Sequence, residues 1–104
     1  MLNQVVLVGR LTKIKKEKTE NGANKVVITL ATPQSFKNVD GCYDTNFINC
    51  VLFGQVAEST IDYCKKGDLI EIKGRVQRID TSKPIEIIAD KVMFLSSRKE
   101  SEEE

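Results

Sequence analysis

The 104-residue chain contains no histidine and no tryptophan. Without histidine, the common Ser–His and Cys–His nucleophile–base pairs and most zinc sites have no candidates. The three cysteines, Cys42, Cys50 and Cys64, show no C-x-x-C spacing and read as reduced thiols of a cytoplasmic protein. Neither G-x-G-x-x-G nor G-x-x-x-x-G-K occurs, so no phosphate-cradling glycine loop is expected. No apolar run approaches the ~20 residues of a membrane span. The opening MLNQVVLVGR lacks the basic region and cleavage site of a signal peptide. No metal, cofactor, membrane association or catalysis is therefore expected. Asp, Glu, Lys and Cys do not fall into a spaced set of nucleophile and base. Glu86 reads as a solvated strand residue, and a thiol chemistry through Cys42 or Cys64 is the one enzymatic alternative.

Hydrophobic residues make up 40% and charged residues 30%, the balance of one soluble globular domain. The net charge of +1 conceals an asymmetry. Residues 96–104 hold Arg98 and Lys99 against four glutamates, leaving 14 basic and 11 acidic side chains over 1–95, a net of +3. A polyanion would have to be met by clustered cations rather than by bulk charge.

Five strands and one helix are legible. Asn3–Lys15 opens on Val5-Val6-Leu7-Val8, and Gly9 within it signals a bulge or bend. Lys25–Thr32 alternates Val26, Ile28 and Leu30 against Lys25, Val27, Thr29 and Ala31. Lys16–Asn24, with its Asn21-Gly22 turn signal, reads as the intervening loop. Pro33–Tyr43 reads as the loop before a third strand at Asp44–Phe53. Gln55–Lys66 predicts a helix with an Ala57, Ile61, Cys64 stripe and Gly67 just past its end. Asp68–Ile79 and Pro84–Leu95 complete the strands, the last apolar on both faces up to Ala89. The order β-β-β-α-β-β with a bent first strand predicts an all-β fold: a five-stranded OB-fold barrel over residues 1–95, with one short helix between strands 3 and 4. Residues 96–104 read as a short, acidic, disordered tail.

The segment Thr45–Glu58 carries the strongest functional signal. Alternation puts Ile48, Cys50 and Leu52 on one strand face and Phe47, Asn49, Val51 and Phe53 on the other. Aromatics flanking an amide make an odd core but a good platform for flat rings, and stacking a nucleobase is worth roughly 1–3 kcal/mol. Phe36 stands among polar residues beside Lys37 in the expected second loop. Lys13, Lys15, Lys16, Lys18 and Lys25 cluster in and beside the first. Lys73, Arg75 and Arg78 add charge on the fourth strand, Arg78 with opposite parity. Cations for phosphates beside rings for bases are the ingredients of a nucleic-acid groove.

These residues carry a family resemblance. MLNQVVLVGRLTK, NGANKVVITLAT, TNFINCVLFGQVAE, YCKKGDLIEIKGRVQ and ADKVMFL, in that order and over about 95 residues, resemble the bacterial single-stranded DNA-binding proteins of the homo-oligomeric OB-fold family. The resemblance implies that Phe36, Phe47 and Phe53 occupy base-stacking positions, two of which are often tryptophan in the family. It implies a protein that coats single-stranded DNA in replication, recombination or repair. The DNA-binding set expected is Phe36, Phe47, Phe53, Lys37, Asn49, Arg10, Lys13, Lys15, Lys16, Lys25, Lys73, Arg75 and Arg78. It also implies a homotetramer, or a dimer, paired through the first strands. Two departures stand out. Gln77–Pro84 is short and has no aromatic where the family has a long hairpin with one. The acidic end lacks the linker and final aromatic through which the family recruits replication and repair proteins, so such recruitment is not expected of this form, whether naturally short or trimmed. The alternative is a protein-interaction module of a replication-restart (primosome) complex with weak single-stranded DNA binding.

Overall fold

The structure, a computed structural model, describes residues 1–97. The elements run β1 (Val5–Lys18), β2 (Asn24–Lys37), β3 (Tyr43–Phe53), α1 (Gly54–Tyr63), β4 (Leu69–Gln77) and β5 (Glu86–Ser96). The strands close into a barrel in the order β1-β2-β3-β5-β4. All pairs are antiparallel except β3 with β5, which meet in parallel at Cys50–Ile87 and Val51–Ile88. This is the expected OB-fold architecture. From Arg98 on, the acidic tail lies outside the described residues.

The alternating patterns produce the core. Leu11, Val26, Ile28, Leu30, Cys50, Leu52, Ile70 and Ile72 are fully buried inside the barrel. Burying one such aliphatic side chain is worth roughly 1.5–3 kcal/mol. Burial also pushes the Cys50 thiol up to about 11, as suits a core filler. Ile88 and Ala89 are buried and Ile87 half-buried, so β5 is covered on both sides there, as its two apolar faces predict. Helix α1 plugs one end of the barrel with Ala57 and Thr60, while Val56 and Ile61 pack against the core.

Three details differ from the sequence expectation. Helix α1 stops at Tyr63, three residues early: Cys64 is already extended, and Asp68 accepts from the Lys65 amide at 2.8 Å to hold a tight turn. Gly9 does not mark the bulge. The register shift falls between Leu11 and Lys13, whereas a Cβ on Gly9 would sit 2.7 Å from the Ala31 carbonyl oxygen, so its role is close strand approach. Both long hairpins are strand almost to their tips. Thr19 closes the first through bonds to Gly22 and Ala23, with Gly22 at φ 82. Asn38 closes the second: its Oδ1 accepts from the Asp40 and Cys42 amides, and its Nδ2 donates to Asp44. With the turns held by so few residues, Lys16 and Lys18 fall on β1, and Phe36 and Lys37 on β2, rather than in loops.

Candidate nucleic-acid interface

The outer wall of β1, β2 and β3 is built from cross-strand rows. The register aligns Arg10 with Ala31 and Phe47, Lys13 with Thr29 and Asn49, Lys15 with Val27 and Val51, and Glu17 with Lys25 and Phe53. Each row places a β1 side chain two strand spacings, about 10 Å, from a β3 side chain. Phe47 and Phe53, six residues apart on one face, lie about 20 Å apart along the strand. Phe47 is 68% exposed and Phe53 42%, so neither ring serves the barrel core. Val51, between them, is only 5% exposed and forms a floor. Asn49 is oriented by Thr29, whose hydroxyl donates to its Oδ1 at 2.7 Å and leaves its amide NH₂ as the outward donor.

Phe36 is also 68% exposed. It stands where the β2–β3 register shifts, between the Pro33–Thr45 and Lys37–Tyr43 pairs. Its neighbour Lys37 places Nζ 5.9 Å from the centroid of the Tyr43 ring, a cation–π arrangement. β3 begins at Tyr43, one residue before the strand expected from Asp44, so the sequence pattern leaves this ring in the loop. Its odd number, shared with Phe47 and Phe53, is the signal that places it on their face.

The cations do not share one surface. Lys13 is exposed and has no ion partner among the described residues, while Lys15 and Lys25 both flank Glu17, at 3.5 and 3.6 Å. Arg10 donates to the Gly67 carbonyl at 3.1 Å, which ties it to the turn after α1. Lys16 departs from the expected cluster. It pairs with Val26, whose side chain is in the core, so it faces the helix side, beside a groove floored by Ala57 and Ile61 whose rim also takes in Glu17, Lys18 and Lys25. Lys73 and Arg75 lie around the barrel on β4, paired with Glu71 and Asp90 respectively. Arg78 is not on β4, which ends at Gln77; it belongs to the loop that follows. In that loop Ser82 hydrogen bonds hold the Asp80 carboxyl below the usual carboxylate range.

Among the described residues no group of His, Cys, Asp and Glu is arranged to hold a metal ion, and no helix is long and apolar enough to cross a membrane. Exposed rings at wide spacing, an oriented amide and a cationic β1 edge are suited to bases and phosphates.

Comparison with known proteins gives the same direction. The chain is 39% identical over 106 residues to single-stranded DNA-binding protein B of Bacillus subtilis, covering 94% of each chain. It superposes on the single-stranded DNA-binding protein of Thermus aquaticus with a TM-score of 0.74 and 27% identity, over 93% of this chain and 52% of that one. The yeast mitochondrial single-stranded DNA-binding protein Rim1 shares the fold, with a TM-score of 0.75 at 18% identity, over 93% of this chain and 97% of that one. The profile of the single-strand binding protein family matches residues 2–95, and the chain belongs to that family.

Proposed function

We propose that the protein binds single-stranded DNA without sequence preference, by stacking rather than by any chemical step, and coats it during replication, recombination or repair in the cytoplasm. The observation that carries this reading is the outer β3 row, Phe47–Asn49–Phe53, exposed beside the cationic residues of β1 and β2. Phe36, Phe47 and Phe53 stack bases. Asn49 offers its amide, and Arg10, Lys13, Lys15, Lys25 and Lys37 meet phosphates. Lys16, Lys73, Arg75 and Arg78 lie off this wall and meet only a strand that continues round the barrel. Every base has a π-face, so sequence tolerance follows from the chemistry of the site. Residues 1–95 form the binding domain.

The same reading includes a homotetramer or dimer joined through β1. Residues Val5–Gly9 pair with β4 on one edge, whereas pairing with β2 begins only at Arg10. The other edge of Val5–Val8 has no strand partner among the described residues, and Val6 and Val8 are exposed beside it. A bare apolar edge favours pairing with a second copy. The primosome interaction module finds no support in the relatives, which are named for single-stranded DNA binding.

Fluorescence anisotropy with labelled oligo-dT and a matched duplex tests the proposal. Tight, salt-sensitive binding of oligo-dT with weak binding of the duplex is expected, since duplex bases are already stacked. Equal affinity for the two would sink it. Oligo-U in competition measures how far the site distinguishes RNA, because stacking alone does not sense the 2′-OH.

A further inference from the structure

The β2–β3 ribbon carries one more exposed ring than the site just described uses. Tyr43 opens β3 on the face shared by Phe47, Asn49 and Phe53: β3 is one continuous strand from Tyr43 to Phe53, and the register shift between Pro33 and Lys37 puts its extra residues in β2. The ring is 55% exposed, and no hydrogen bond to its hydroxyl is found among the described residues. No part of the core needs it. Four residues of strand place it about 14 Å beyond Phe47, on a line that continues from Phe53. The loop at 78–85 holds no aromatic, so the exposed rings of the DNA wall are confined to this ribbon.

We propose that Tyr43, backed by Lys37, is a base-stacking site that extends the single-stranded DNA track along the β2–β3 hairpin. The inference rests on the reading under Proposed function. Lys37 Nζ lies over the ring, 5.9 Å from its centroid, and more than half of the side chain is still exposed and accessible to a base. Its ammonium polarises the ring and stands where the phosphate beside a base on Tyr43 would pass. The phenol hydroxyl adds a donor and acceptor at the ring edge, which Phe36, Phe47 and Phe53 lack. A Lys37–Tyr43 cross-strand pair that served only the hairpin would leave the ring indifferent to DNA.

The composition permits a direct test. The chain has two tyrosines and no tryptophan. Tyr63 lies at the far end of α1, away from the ribbon, so Tyr63→Phe leaves Tyr43 as the sole strong emitter. Oligo-dT is titrated into this full-length variant, with tyrosine emission and anisotropy of the labelled DNA followed together. Saturable quenching that tracks binding is expected. Binding by anisotropy with unchanged emission would overturn the role of Tyr43 while leaving the single-stranded DNA reading intact. No binding at all would overturn that reading and the role of Tyr43 with it. In the wild-type background, Tyr43→Ala should weaken binding about 5- to 150-fold, the range set by one stacked base. Tyr43→Phe should restore affinity to within about threefold, since stacking needs the ring and not the hydroxyl. Equal losses in the two variants would contradict a stacking role, and an unchanged melting temperature in both excludes a folding defect as the cause.

Discussion

Two walls of this barrel expose apolar surface in different ways. On the wall of β2, β3 and the second half of β1, the exposed apolar groups include the rings of Phe36, Tyr43, Phe47 and Phe53, with Asn49 between the last two and Lys13 unpaired among the described residues. On the wall of the first half of β1 with β4 and β5, they include the aliphatic side chains of Val6, Val8, Met93 and Leu95, and the nearby Lys73 is paired with Glu71. Flat rings beside solvated cations suit a ligand that brings its own charge and its own flat faces. Aliphatic side chains beside a bare strand edge suit a second protein surface that excludes water. Exposure is similar on the two walls; the chemistry of the exposed groups separates a DNA-facing wall from a self-facing one.

The largest expected effect tests the first wall. Phe47→Ala with Phe53→Ala removes two stacking rings, and at roughly 1–3 kcal/mol each the affinity for oligo-dT should fall by about two orders of magnitude or more. Both rings are exposed, so thermal stability should change by less than about 1 kcal/mol. A stability loss that matches the binding loss would return the rings to the core. The next effect tests the second wall. Val6→Glu with Val8→Glu puts two like charges beside the free β1 edge, and light scattering should report a monomer. Affinity for a short oligo-dT that one barrel can hold should stay the same, while a long one should lose about a hundredfold through lost multivalency. If the glutamate pair weakens the short oligomer as much as the alanine pair does, the two walls are not separate sites.

Most of the barrel was legible because its strands alternate cleanly. Val26, Ile28 and Leu30, like Ile70 and Ile72, point inward as their period of two predicts. The rings of Phe47 and Phe53 were legible for the same reason. What stayed hidden depends on side chains that hold turns. Asn38 collects two amide donors and Asp44 into one knot, which shortens an expected loop to a tip and turns Phe36 and Lys37 into strand residues. The division of the lysine cluster was hidden too, because β1 continues in regular register from Lys13 to Lys18 where a loop from Lys16 was expected. Lys16 and Lys18 read as companions of Lys13 and Lys15 only while the segment counts as loop. Once it is strand, alternation sends them to the helix side.

The smallest effect sharpens the comparison at the level of single charges. Lys13 aligns with Thr29 and Asn49, on the wall with the rings, and has no ion partner among the described residues. Lys73 aligns with Val6, on the other wall, with Glu71 at 3.9 Å. If phosphates run along the first wall, Lys13→Ala removes one of their cations. The slope of log affinity against log salt for a short oligo-dT should then fall by about 0.7, the counterion release of one single-strand phosphate contact. Lys73→Ala should leave that slope unchanged. Its loss costs only an exposed ion pair, worth about 0–1 kcal/mol of stability, and frees Glu71 on a wall the short oligomer does not touch. The measurement is a salt titration of both variants beside the wild type. Because it compares slopes rather than affinities, it is insensitive to small changes in how much of each protein is active. A reduced slope for both variants would mean that even a short strand reaches β4. Lys73 would then belong with the phosphate-binding cations, and the division between the walls would move to β5.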